Sequence, residues 1–111
     1  LCAAPKNLGV ARHGGYADRI LVPHSRYLLD VAGLDERWAA TLACSGLTAY
    51  SAARKALPAE PRDPVVVIGA GGVGLMAIAS LRALGHEVIV AVDLQERNLE
   101  LARELGATVT V

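Results

Sequence analysis

The most constraining feature of the sequence is a run of β-branched residues that passes directly into a glycine-rich loop. Val65–Ile68 contains only valine and isoleucine, which is typical of a strand buried on both faces of a parallel sheet. The next residues include Gly69, Gly71 and Gly74 at G-x-G-x-x-G spacing. Such glycines permit a tight turn, close approach of the backbone to a pyrophosphate and close packing of helix on strand. The sequence therefore predicts a strand, a phosphate-binding loop and then a helix.

An acidic residue follows at the distance that dinucleotide binding requires. Asp93 comes directly after a second predicted strand and nineteen residues after Gly74. A carboxylate there can accept hydrogen bonds from ribose hydroxyls and repel a 2′-phosphate, which favours NAD over NADP. The alternative is that Asp93 only caps the helix that begins near Gln95. Strand, loop, helix and acid together favour dinucleotide binding.

The second half of the chain alternates between strand-like and helix-like sequence patterns. The predicted elements are a strand at 65–68, a helix at 72–84 ended by Gly85, a strand at 88–92, a helix at about 95–105 with Leu99, Ala102 and Leu105 on one side, and a strand from Thr108. This βαβαβ order predicts an α/β fold, half of a doubly wound parallel Rossmann sheet.

The first half is less regular. Two β-rich runs, 16–22 and 27–31, predict strands separated by turns. Asp35 is a candidate cap for a helix from residue 36, which Gly46 interrupts before an alanine-rich continuation to Lys55. A loop with three prolines, Pro58, Pro61 and Pro64, then leads to the first predicted strand. His13 and His24 are expected in solvated turns, and His86 at the surface after a helix end.

Composition excludes several classes of protein. The chain has 11 basic and 11 acidic residues among 111, so it lacks the positive charge typical of nucleic-acid binding. Glycines interrupt its longest apolar stretch, and we expect no membrane-spanning helix. Two cysteines cannot form the disulfide framework of a small secreted protein, which favours a reducing, cytoplasmic compartment. The chain starts with Leu1 and stops in a strand-like run, so we expect a segment of a longer protein.

Several blocks in family order resemble the zinc-dependent medium-chain alcohol dehydrogenases. They are Gly14-Gly15-Tyr16-Ala17 with Val22-Pro23, the stretch from Leu42 to Tyr50 (LACSGLTAY), the loop from Val67 to Gly74, Val92-Asp93, and Leu105-Gly106-Ala107. The resemblance implies that residues 1–45 are the C-terminal part of a β-rich, GroES-like catalytic domain. Residues 46–111 would be the N-terminal half of the NAD-binding Rossmann domain.

The resemblance also implies roles for individual residues. Cys44 matches the last protein ligand of the catalytic zinc, for which thiolate is a strong donor. Its alternative is a small buried packing residue. Thr48 and Val73 match residues that contact the nicotinamide, and the N–H groups of Gly72 and Val73 would bind the pyrophosphate. Both Thr48 and Val73 could equally be ordinary helix residues.

Two positions depart from or fall short of the family pattern. Cys2 resembles the fourth cysteine of a structural-zinc lobe, but the other three cysteines are absent from this sequence. The basic residue often found five positions after the acid is replaced by Asn98, with Arg97 beside it. Asp93 must then carry more of the ribose recognition.

The implied activity is hydride transfer between an alcohol or carbonyl compound and NAD, assisted by zinc that polarises the substrate oxygen. The resemblance implies a homo-oligomeric parent enzyme with a small-molecule substrate. Because only one candidate zinc ligand is present, we expect little or no activity from the 111 residues alone. The alternatives are a zinc-free NADPH-dependent quinone or enoyl reductase of the same superfamily, and a non-enzymatic dinucleotide-sensing module.

Overall fold

The computed structural model describes residues 3–56 and 60–111, which form two compact units divided after Gly33. We call residues 3–33 the N-terminal unit and Leu34–Val111 the C-terminal unit. Cys2 and Pro58 lie outside the described residues.

The N-terminal unit is made of turns rather than strands. Its regular elements among residues 3–33 are a 3₁₀ turn at Ser25–Tyr27 and a single bridge between Leu8 and Arg12. The strands predicted at 16–22 and 27–31 are therefore wrong. A strand needs a neighbouring strand to accept and donate its backbone hydrogen bonds, and the described residues of this unit supply none.

The C-terminal unit begins with helix α1 (Glu36–Thr41), which starts where the sequence predicted. The Asp35 carboxylate oxygen Oδ1 accepts a hydrogen bond from the Trp38 backbone N–H at 2.9 Å, confirming Asp35 as the cap. A π-helical turn at Leu42–Gly46 then connects α1 to α2 (Leu47–Ala56). The predicted interruption near Gly46 is confirmed, and it takes the form of a widened helical turn.

A three-stranded parallel sheet with crossover helices follows. Its elements are β1 (Val65–Ile68), α3 (Gly72–Ala83), β2 (Ile89–Val92), α4 (Glu96–Glu104) and β3 (Val109–Thr110). The strand order is β1-β2-β3, with Val65 paired to Ile89 and Val90 paired to Val109. The predicted βαβαβ order and parallel sheet are confirmed.

Helices α2, α3 and α4 contribute to one core against the sheet. Its buried members include Ala53, Ile78, Leu81, Ile89, Ala91, Leu99 and Ala102. The prediction that β1 is buried on both faces is wrong for this chain, because Val66 is 55% and Ile68 84% exposed. Within the described ranges, the helices cover only the face that carries Val65 and Val67. Leu105, expected beside Leu99 and Ala102, is also exposed.

His86 is buried, contrary to the sequence-based expectation. It is 1% exposed, and both of its ring nitrogens lack a hydrogen-bond partner among the described residues. The chain reverses at Gly85, which has a φ of +93°, and the His86 N–H donates to the Leu81 carbonyl at 3.1 Å. This closed turn carries the residue after the helix back toward the core. His13 and His24 are exposed, as predicted.

No helix in residues 3–56 or 60–111 combines the length and apolar character needed to cross a membrane.

Candidate functional site: the glycine loop and the carboxylate beside it

The glycine loop connects β1 to α3 in the geometry that its spacing predicts. Gly69 has a φ of +91°, a left-handed conformation that side chains other than glycine rarely adopt. A Cβ on Gly74 would lie 2.9 Å from the Gly69 carbonyl carbon and closer still to its oxygen. Gly69 therefore makes the turn, and Gly74 lets the first turn of α3 pack against it.

The middle of the loop is open. A Cβ built on Gly71 or Gly72 would meet nothing within 4 Å, and both residues are exposed. Gly71 caps α3 without a side-chain hydrogen bond, and the first N–H groups of a helix have no partner within it. These N–H groups and the positive end of the helix dipole suit a phosphate, so this part of the loop fits a dinucleotide.

Asp93 lies at the end of β2 and connects two loops. Its Oδ2 accepts a hydrogen bond from the Ala70 N–H at 2.7 Å, and its Oδ1 accepts one from the Gln95 N–H at 2.9 Å. Asp93 thus holds the turn that leads into α4, and it also contacts the glycine loop. The N-cap of α4 is Gln95, so the alternative that Asp93 caps this helix is not confirmed. The parallel pairing of β1 with β2 brings these loops together at one edge of the sheet.

The environment of Asp93 favours the charged carboxylate. The hydrogen bond from the Gln95 N–H, followed by that from the Ala70 N–H, holds the pKa of Asp93 below its ordinary value. Asn98, which sequence reasoning treated as a missing basic residue, donates from Nδ2 to Asp93 Oδ1 at 3.2 Å and lowers this pKa further. An ionised carboxylate is a strong acceptor for a hydroxyl group.

Two further predicted site residues lie on elements that pack against α3, and a third, Val73, lies in α3 itself. Cys44 is in the π-helical turn and Thr48 is in α2, and both elements contact the helix that begins at the glycine loop. Thr48 and Val73 are exposed. The structure holds α2, which carries Thr48, next to α3, which carries Val73. A contact with a nicotinamide stays a prediction for both residues.

Cys44 has an exposed, free thiol, which argues against the buried packing alternative. Residues 3–56 and 60–111 contain no group of three or more His, Cys, Asp or Glu side chains that could hold a metal ion. A catalytic zinc site needs three protein ligands. The described residues therefore do not make a zinc site by themselves, and zinc ligation by Cys44 stays a prediction.

Sequence reasoning missed three features of this region. They are the Ala70–Asp93 hydrogen bond, the Asn98–Asp93 hydrogen bond and the π-helical form of the turn that contains Cys44. The first depends on how β1 and β2 align, and the second depends on the rotation of α4. The glycine at the end of the π-helical turn was the available signal for the third.

The known proteins that are similar to this chain include dehydrogenases. Residues 72–111 match the family model described as zinc-binding dehydrogenase. The chain is 45% identical over 108 residues to an NAD-dependent alcohol dehydrogenase from Sulfurisphaera tokodaii, covering 96% of this chain and 31% of that protein. It spans about a third of the length of such relatives.

Solved structures resemble the fold as well. The D-arabinose dehydrogenase from Sulfolobus solfataricus superposes with a TM-score of 0.83 at 33% identity, covering 94% of this chain and 33% of that one. An alcohol dehydrogenase from Aeropyrum pernix gives a TM-score of 0.65 at 34% identity, covering 71% and 24%. These matches relate the fold and sequence of the chain to zinc-binding dehydrogenases.

Proposed function

Because this chain belongs to the zinc-binding dehydrogenase family, we propose that it binds NAD for hydride transfer between an alcohol and a carbonyl compound. The observation that carries this proposal is the 2.7 Å hydrogen bond from the Ala70 N–H to Asp93 Oδ2. It places the candidate ribose acceptor against the candidate pyrophosphate loop. The pyrophosphate would lie on the N–H groups of Gly72 and Val73, at the open part of the loop between Gly69 and Gly74.

The choice of NAD over NADP follows from the charge on Asp93. Hydrogen bonds from Gln95, Ala70 and Asn98 hold its pKa down, so the carboxylate is ionised near neutral pH. An ionised carboxylate accepts from a ribose hydroxyl and repels a 2′-phosphate. The name of the Sulfurisphaera relative, NAD-dependent alcohol dehydrogenase, is consistent with this choice.

Zinc enters the proposal through Cys44 only. Its exposed thiol would serve as one ligand, and the other ligands would come from beyond the described residues. When bound, zinc supplies a Lewis acid that polarises the substrate oxygen and lowers the pKa of an alcohol. The residues described here bind and orient the cofactor, with Thr48 and Val73 proposed beside the nicotinamide.

The wider assignments are also part of the proposal. We infer a GroES-like part at residues 1–45, a Rossmann part at 46–111, a homo-oligomeric enzyme and a cytoplasmic location. The substrate class is a small alcohol or its aldehyde or ketone.

The test is isothermal titration calorimetry of the protein with NAD. Gly71→Val should keep the fold, since nothing lies within 4 Å of its Cβ position and its φ of −76° suits valine. Its side chain should occupy the phosphate position and weaken NAD binding at least about tenfold, a loss of about 1.4 kcal/mol. Asp93→Ala should also weaken binding, while Gly15→Val, in the N-terminal unit, should not.

Two results would contradict the proposal. One is a wild-type protein that does not bind NAD at millimolar concentration. The other is a folded Gly71→Val or Asp93→Ala variant whose affinity for NAD equals that of the wild type.

A further inference from the structure

Two open cavities in the N-terminal unit have no part in the proposed cofactor site. One has a volume of about 620 Å³ and the other a volume of about 520 Å³, and His13 and Leu21 line both of them. The two cavities therefore adjoin each other, and each has the size of a site for a small molecule. Arg12 lines the first cavity and Arg19 lines the second.

A closed loop of backbone carries Arg12 and His13. The Gly9 N–H donates a hydrogen bond to the Arg12 carbonyl at 2.9 Å. A Cβ on Gly14 would lie 2.8 Å from the Gly9 Cα, so the chain passes close to itself just after His13. These contacts hold the backbone on both sides of Arg12 and His13. A ligand that binds these side chains therefore has little backbone to order.

The charge that lines the cavities is positive. Arg12 and Arg19 each supply a guanidinium group, and no acidic residue lines either cavity within the described part of the unit. Both ion pairs that the described residues form lie in the C-terminal unit, so neither arginine is paired with a carboxylate there. Guanidinium groups bind carboxylate and phosphate oxygens through paired hydrogen bonds. This lining therefore favours an anion.

Apolar side chains complete the lining and favour an anion that has an apolar body. Val10 lines the first cavity and is 85% exposed, while Leu21 lines both and is 83% exposed. The Tyr16 ring, in the second cavity, is fully exposed. Inorganic phosphate would leave this apolar surface in water, whereas an aromatic or aliphatic group attached to the anion would cover it.

We propose that the two cavities form a binding site for a small organic oxyanion, either a phosphate monoester or a carboxylate with an apolar body. Arg12 and Arg19 supply the positive charge, and His13, which lines both cavities, supplies a ring N–H donor. Val10, Leu21 and Tyr16 cover the apolar body. The site lies in a different unit from the glycine loop, and the inference does not depend on NAD binding.

The test is an NMR titration of the ¹⁵N-labelled chain with phenyl phosphate, benzoate, inorganic phosphate and the neutral compound phenol. Ionic strength is held constant, because salt screens exposed charges. Phenyl phosphate or benzoate should shift the amide signals of Arg12, His13 and Leu21 and reach saturation at about millimolar concentration. Phenol should not bind in this range, and inorganic phosphate should bind at least about fivefold more weakly than phenyl phosphate. The tighter of the two organic anions identifies the anionic group.

Three variants locate the site. Arg12→Gln and Arg19→Gln should each weaken binding of the tighter anion about fivefold, the effect of one charged hydrogen bond that is partly screened by water. Both positions are exposed, so glutamine should keep the fold, and the amide spectrum of each variant checks this. Arg26→Gln is the matched control. Arg26 is exposed in the same unit, its guanidinium lies 5.5 Å from the centre of the Tyr27 ring, and it lines neither cavity. Its replacement should leave the affinity unchanged.

Three results would overturn this inference. Shifts that rise linearly without saturation would show that the anions only accumulate near a positive surface. An equal loss of affinity in Arg26→Gln would show a general attraction to the charge of the unit. Equal binding of phenol and phenyl phosphate would show an apolar surface that does not recognise anions. Calorimetry with NAD measures the proposed function separately, so either proposal can fail without the other.

Discussion

The two units of the chain contain similar strand-favouring runs with different outcomes. Ile20–Val22 in the N-terminal unit and Val65–Ile68 in the C-terminal unit are both apolar and β-prone. Only the second is a strand, and it pairs in parallel with Ile89–Val92. A run of β-prone residues therefore becomes a strand only where a partner strand aligns with it.

Hydrogen bonding differs in the same way. Among residues 3–33, bonds such as those from Ala11 to Asn7 and from Ala32 to Asp30 connect positions within four residues of each other. In the C-terminal unit, the bond from Ala70 to Asp93 connects positions 23 residues apart. Long-range bonds and a buried core make the C-terminal unit the part whose substitutions should change stability.

The largest expected effect is the loss of a core side chain. Ile78 is 0% exposed, and Ile78→Ala should lower the free energy of unfolding of the C-terminal unit by about 2–5 kcal/mol. Ile20 in the N-terminal unit is 42% exposed, and Ile20→Ala should cost less than about 1 kcal/mol. Urea unfolding followed by circular dichroism at 222 nm measures both. An equal loss of unfolding free energy in the two variants would contradict the conclusion that the buried core of the C-terminal unit carries the stability.

The next largest effect is expected where an added methyl group would clash with the backbone of the glycine loop. A Cβ on Gly74 collides with the Gly69 backbone, whereas a Cβ on Gly15 meets nothing within 4 Å. Gly74→Ala should cost about 2 kcal/mol, because overpacking outweighs the roughly 1 kcal/mol gain in helix propensity. Gly15→Ala should change stability by less than about 0.5 kcal/mol. The same denaturation experiment applies, and a stabilised Gly74→Ala would show that the loop can shift to admit the methyl group.

The sequence predicts features that depend on neighbouring residues, and it does not predict features that depend on distant ones. The cap at Asp35, the interruption near Gly46 and the βαβαβ order all come from patterns within one element or its neighbours, and all are confirmed. The strands at 16–22 and 27–31 depended on partners that the described part of the N-terminal unit does not provide. Local pattern was equally present in both units, so only pairing distinguished them.

The candidate site also contains features of both kinds. Gly69 and Gly74 follow from spacing, because each glycine answers a steric demand within one turn. The bonds of Asp93 to Ala70 and Asn98 could not be predicted, since they depend on the register of β1 with β2 and on the rotation of α4. Whether these residues bind NAD stays a prediction.

A smaller effect concerns the buried polar group in the core of the C-terminal unit. His86→Leu should raise the free energy of unfolding by about 1 kcal/mol, because it removes two buried ring nitrogens that lack partners in the described residues. His24→Leu is the counterpart in the N-terminal unit. His24 is exposed and its Nδ1 accepts the Arg26 N–H at 3.1 Å, so its loss should not stabilise. Thermal unfolding of both variants measures the difference, and destabilisation by His86→Leu would indicate a favourable role for the ring.

The smallest effect is the pH dependence of the bond network around Asp93. Its pKa in the folded protein lies below the ordinary value of 3.8, so its contribution to stability is complete above that pH and is lost as the pH falls through the folded value. The difference in unfolding free energy between wild type and Asp93→Asn should therefore be constant near neutral pH and shrink below pH 3.8. Urea unfolding at a series of pH values measures it.

Gln95→Ala is the control for this dependence, because Asp93 Oδ1 accepts from the backbone N–H of Gln95, which alanine retains. Its pH profile should follow that of the wild type. A difference between wild type and Asp93→Asn that grows toward acid would mean that the protonated carboxyl is the favoured form. In that case the hydrogen bonds from Gln95 and Ala70 do not stabilise the ionised carboxylate of Asp93. The long-range bond from Ala70 would then add no electrostatic stabilisation to the C-terminal unit.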